Sequence, residues 1–213
     1  MENTTMENTR TKTTRNSLIL LLTAAIWGMA FVSQSKGMDY MHPFTFNGVR
    51  SLIGAASILV YILISRKIAG DKAAPLDWKL NVKAGLLCGI FLTIASTLQQ
   101  FGIKYTSVGK AGFITTLYII FVPMFGIFLK KKVAPVVWAA AVMAAVGMYL
   151  LCMTESLRLG AGDIMVFLCA IAFAIQIMTV DHYAARIDGA VVSCIQFTVC
   201  GAVSYTHLRA HET

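Results

Sequence analysis

Residues 111–129 read AGFITTLYIIFVPMFGIFL and are followed at once by Lys130, Lys131 and Lys132. An apolar stretch of this length without a charge has no place on the surface of a soluble domain. As a helix it covers roughly 30 Å, the hydrocarbon thickness of a bilayer. Similar stretches fall at 17–35, 44–64, 82–101, 109–129, 133–152 and 163–181. Six full membrane spans are therefore expected. A seventh opens at Gly189 but meets Tyr205, Thr206 and His207 after about 15 apolar residues, short of the roughly 20 a crossing requires.

Composition agrees. Of 213 residues, 57% are hydrophobic and 13% charged, against about 25% charged in ordinary soluble domains. Disorder, collagen-like repeats and an ordinary cytosolic enzyme are excluded. The expected fold class is all-α, a polytopic membrane helix bundle.

Residues 1–16 are polar and apolar-poor, so they read as a disordered tail that cannot bury enough surface to fold alone. Arg10, Lys12 and Arg15 precede an apolar run, as in a signal peptide. That run passes Trp27 without a small-residue cleavage site, which favours a retained first helix. Pro43 and Pro135 stand at helix starts and Pro75 in a loop. Pro123 lies inside the fourth span, where it frees the carbonyl of Ile119 and is expected to bend the helix.

The net charge of +8 is a topology signal. The tail and the second, fourth and sixth loops hold twelve Lys and Arg, and the alternate loops hold Lys36, Lys104, Lys110 and Arg158. This bias places the N-terminus in the cytoplasm, and the expected location is a bacterial-type inner membrane. No basic patch with interleaved aromatics supports a nucleic-acid partner. The five cysteines are scattered through apolar runs and form neither a disulfide framework nor a metal site. No cofactor is called for. Phosphate loops, metal-ligand helices and nucleophile elbows are all missing, so an enzyme is not expected.

Shifting the chain by 146 positions lays the first helix pair on the last: Trp27 meets Phe173, Pro43 meets Gly189, Asn47 meets Ser193 and Arg50 meets Gln196. With an odd number of spans between the copies' starts, the second copy crosses in the opposite sense. That is an inverted repeat, the construction of many secondary transporters.

Polar side chains fall in stripes at helical spacing: Asn47, Arg50, Gly54, Ser57 and Tyr61 on the second span, Thr23, Trp27, Ala30 and Gln34 on the first, and Thr93, Ser96, Thr97 and Gln100 on the third. Gln176 and Thr179 follow on the sixth, then Ser193 and Gln196. Such stripes either line a hydrated route or join helices by hydrogen bonds. Arg50 is the one charge well inside a span. It either snorkels or pairs structurally, or else recognises an anionic, carboxylate-bearing solute. No carboxylate or histidine occupies a span centre.

Several segments together resemble the EamA family of the drug/metabolite transporter superfamily. Ala25-Ile26-Trp27-Gly28 with Phe31-Val32 resembles its opening helix, and Pro43 through Arg50 its second. Lys104 to Leu129, with Pro123, is similar to its third-to-fourth helix passage, and Gly162-Asp163 followed by FLCAIAFAIQ to the start of its second repeat. The resemblance implies two inverted five-helix halves, with residues 17–152 as the first and 162–203 as part of the second. Where the family often has Gly-Glu-Arg after the fourth helix, this chain reads Lys130-Lys131-Lys132. The final SYTHLRAHET is similar to translated sequencing-adapter read-through, so 204–213 reads as a non-native tail and the carrier as C-terminally truncated.

The expected function is secondary transport of a small organic metabolite, exported or exchanged by alternating access across the lipid bilayer. Trp27, Asn47, Arg50, Gln100, Tyr118, Gln176 and Gln196 are expected to line the substrate route, with Pro123 as the helix kink. The alternative is a non-transporting scaffold or assembly subunit whose polar stripes are dry. Substrate, direction, coupling ion and oligomeric state stay open.

Overall fold

The computed structural model describes residues 2–70, 76–131, 133–152 and 160–212. Among them it is helical throughout, with no strand: α1 (Glu2–Gly37), α2 (Pro43–Ala69), α3 (Trp78–Tyr105), α4 (Val108–Thr116), α5 (Tyr118–Phe128), α6 (Pro135–Cys152), α7 (Ala161–Tyr183) and α8 (Gly189–Glu212). Pro75 and the loop cations Lys72, Lys132 and Arg158 lie outside the described residues, as does most of the connection between the two expected halves.

Helix starts follow the local sequence. Pro43 and Pro135 occupy first-turn positions where no N–H is needed. The Asp77 carboxylate accepts from Leu80 N at 3.0 Å, and the Ser107 hydroxyl from Lys110 N at 3.2 Å. Asp188 accepts from Ala190 N at 3.0 Å, so α8 begins capped as well.

Six helical segments among the described residues are long and apolar enough to cross a membrane: Thr13–Gly37, Pro43–Ala69, Trp78–Tyr105, Val108–Phe128, Ala161–Arg186 and Gly189–Thr206. The chain is a multi-pass membrane protein. The set differs from the sequence reading at two places: the expected span at 133–152 does not reach the required length, its described apolar helix being the shorter Pro135–Gly147, whereas the segment at Gly189 does. Its terminal hydroxyls are satisfied without water: Ser204 turns into the bundle, and Thr206 Oγ1 donates to the Val203 carbonyl at 2.8 Å.

Two further features stand beside the sequence reading. Through the segment read as a tail, α1 runs back to Glu2. The segment has neither proline nor glycine, and propagation from an existing helix is far easier than nucleation. The fourth span is broken at Leu117, between α4 and α5, and Pro123 sits inside α5. Thr116 Oγ1 donates to the Phe113 carbonyl at 2.8 Å, the acceptor that Leu117 N–H would use in a regular helix. Leu117 N–H bonds Ile114 O instead, at 3.2 Å, and the turn tightens.

α3 is the central element, packed against α7 and α8, with α2 on the other side of α8. The α3–α7 crossing is close because both helices present glycine. A Cβ on Gly102 would lie 2.4 Å from Val166 Cγ2, and one on Gly162 would lie 2.8 Å from Gly102 O. Gly85 and Gly89 similarly receive Ile195 and Val199 of α8.

The α2–α8 contact has an internal symmetry. Cys194 Sγ reaches the Ala55 carbonyl at 3.5 Å, and Gly48 approaches the Gly201 carbonyl. A shift of 146 residues turns each of these pairs into the other.

Candidate functional site

The polar side chains of α3 meet partners from four other helices. Ser96 and Gln100 are one turn apart and face the same side, with Gln99 beside them; all three are buried. Asn47 of α2, 1% exposed, sits where α2, α3 and α8 meet. Its Nδ2 donates to Ser96 Oγ at 2.9 Å, to Ser204 Oγ at 3.4 Å and to Cys200 Sγ at 3.5 Å. Its Oδ1 accepts from Arg50 Nη2 at 3.0 Å. Both ends of the carboxamide are thus used, and its orientation is fixed by four neighbours.

Around this junction lie three bridges. Gln100 Nε2 donates to Gln34 Oε1 of α1. Gln99 Nε2 donates to Thr115 Oγ1 of α4 at 3.3 Å. Gln176 Nε2 of α7 donates to Gln196 Oε1 of α8 at 3.1 Å. Gln100 Oε1 is buried and has no hydrogen-bond partner among the described residues.

The structure therefore brings Asn47 and Arg50 together, pairs Gln176 with Gln196, and buries Gln100 fully. Tyr118 is half-buried directly after the break at Leu117. Trp27 stands apart: it is 50% exposed on α1, a helix that packs only lightly on the bundle. The second-span stripe also divides. Asn47 faces inward with Pro43, Gly48, Ser51 and Ala55, whereas Arg50, Ser57 and Tyr61 are exposed. Ser57 satisfies itself on the Ile53 carbonyl at 2.8 Å.

Sequence reasoning missed Gln99, Thr115, Cys200 and Ser204. For Gln99 a signal existed. In the pair Gln99-Gln100, neighbouring residues on a helix point about 100° apart, so two different partners are needed. For Ser204 the signal was hidden by the polar run behind it.

The two ends of the bundle are tied differently. At the end away from the lysine-rich loops, Asp163 is 2% exposed and accepts from Gly160 N at 2.9 Å, from Lys110 Nζ at 2.9 Å and from the Thr106 hydroxyl. At the lysine-rich end, Asn81 Oδ1 accepts from Asp188 N at 2.8 Å, and exposed pairs join Arg66 to Asp188 at 3.7 Å and Lys131 to Asp181 at 2.5 Å. A recess of about 490 Å³ opens at this same end between α3, α5 and α7, and none of the expected route residues lines it. No group of metal ligands occurs among the described residues.

Comparison with known proteins adds the following. Residues 15–153 match the EamA-like transporter family. An uncharacterized transporter from Archaeoglobus fulgidus is 31% identical over 170 residues, covering 77% of this chain and 48% of the relative. The chain thus spans about half the length of that relative. No solved structure matches.

Proposed function

Because the chain belongs to the EamA-like transporter family, we propose that it carries a small organic metabolite across a bacterial-type inner membrane by alternating access. The supporting observation is the junction at Asn47, which joins α2, α3 and α8 and holds Arg50 by its other end. A guanidinium oriented in advance by a fixed carboxamide spends little freedom on meeting an anion, so a carboxylate-bearing solute suits it. Gln100, Tyr118, Gln176 and Gln196 complete the proposed route. Trp27 belongs to it only through the family resemblance.

The orientation proposed from the lysine and arginine bias puts the N-terminus and the lysine-rich end in the cytoplasm. The proposed halves are residues 17–152 and 162–203. The exchange of the Ala55–Cys194 and Gly48–Gly201 contacts under the 146-residue shift supports their being inverted copies.

A second reading, a non-transporting scaffold, is favoured by one observation: most of these polar groups satisfy each other, as interhelical links do. Flux of radiolabelled organic anions into proteoliposomes, wild type beside Arg50→Ala, tests the transport reading. Cysteines at positions 47, 100 and 196 test the route. Labelling by water-soluble thiol reagents supports it, and uniform protection supports the scaffold.

A further inference from the structure

The recess between α3, α5 and α7 is apolar along its walls, with Leu87, Phe125, Phe128 and Met178 among its lining residues. Phe128 is 78% exposed, so the recess opens at the side of the bundle. On α7 its wall runs from Ile175 to Tyr183, a rise of about 12 Å. One leaflet's hydrocarbon is about 15 Å deep. The recess therefore has the depth of a single acyl chain.

Near each of its three walls in sequence, toward the lysine-rich end, stands an exposed cation that is not itself a lining residue. On α3, Lys83 lies one turn before Leu87. Behind α5, Lys130 follows Phe128 by two residues. After α7, Arg186 lies with its guanidinium 5.9 Å from the ring of Tyr183, itself a lining residue. Lys131 is engaged by Asp181 and adds no net charge to this rim.

Lys130 is held in place by the backbone. Its φ is +58°, Lys131 N donates to Gly126 O at 2.9 Å, and Lys130 N to Ile127 O at 2.8 Å. This is the Schellman ending of a helix, with lysine where glycine is usual.

We infer that this recess binds an anionic phospholipid, its acyl chain between α3, α5 and α7 and its phosphate among Lys83, Lys130 and Arg186. A free phosphate would leave the apolar walls unused, and a zwitterionic lipid would leave the three cations without a net countercharge. Juxtamembrane cations attract anionic headgroups in an additive, salt-screened manner. The inference needs only that the chain sits in a bilayer, and so stands independently of the transport reading.

The test is equilibrium binding of pyrene-labelled phosphatidylglycerol and phosphatidylcholine to the purified chain in detergent micelles. Phosphatidylglycerol is expected to bind at least tenfold tighter at low salt, with the preference lost near 1 M salt, where the screening length falls to about 3 Å. K83Q/K130Q/R186Q is expected to reduce phosphatidylglycerol binding by about fivefold per charge and leave phosphatidylcholine unchanged. Arg186→Gln alone should give one such step if the triple variant loses its helical circular dichroism. Met178→Trp, which fills the recess, is expected to weaken both lipids. Equal affinity for the two lipids in the wild type overturns the inference. So does a preference left undiminished by Arg186→Gln, or binding untouched by Met178→Trp.

Discussion

Arg50 Nη2 rests on Asn47 Oδ1, 3.0 Å away and one turn earlier on the same helix, while the other end of that carboxamide is locked by Ser96. The exposed charge is therefore positioned by a buried residue that holds three helices together. Removing Asn47 should damage stability and site geometry at once.

Asn47→Ala is expected to destabilise the bundle by about 1–2 kcal/mol, since it removes the donor that Ser96 and Ser204 share and releases Arg50. Steric-trapping or detergent unfolding measures the first effect and proteoliposome flux the second. A variant as stable as the wild type would show that the junction is not a tie.

Gly102 and Gly112 should respond oppositely to alanine. At Gly102 the added methyl meets Val166 and the Gly162 carbonyl, so the α3–α7 crossing must open, costing about 1–3 kcal/mol. At Gly112 nothing lies within 4 Å, and Gly112→Ala should gain up to about 1 kcal/mol from helix propensity. Melting temperatures of the two variants, compared in one detergent, decide it.

The Gln176–Gln196 bond is open to a double-mutant cycle with alanine. Interhelical hydrogen bonds inside membranes couple by about 0.6 kcal/mol on average, and a coupling of that size is expected here. Additive losses in the cycle would mean that the two amides do not meet.

Lys130 occupies the left-handed region, at a cost of about 1 kcal/mol for a side chain with a Cβ. Lys130→Gly should raise stability by about that amount while weakening binding of anionic lipid. Lys130→Ala retains the backbone strain and should lose the lipid effect without the gain in stability. Thermal unfolding of both variants, with and without phosphatidylglycerol, separates charge from backbone.

What the sequence made legible was whatever depends on one segment at a time. Apolar length located five of the six candidate spans, and Pro43 and Pro135 marked where helices begin. Stripe reasoning was half successful. It selected Asn47 and Gln100, but it also joined Arg50, Ser57 and Tyr61 to a face that the packing of α2 on α8 leaves outside. Convergence was invisible to it: Leu87, Phe125 and Met178 lie far apart along the chain and line one recess. The break at Leu117 was not foreseen, since neither proline nor glycine stands at that position.

The break at Leu117 divides the fourth span into α4 and α5, pieces of 9 and 11 residues, each too short alone to cross about 30 Å of hydrocarbon. The crossing is thus made by two stacked pieces, both of which lean on α7.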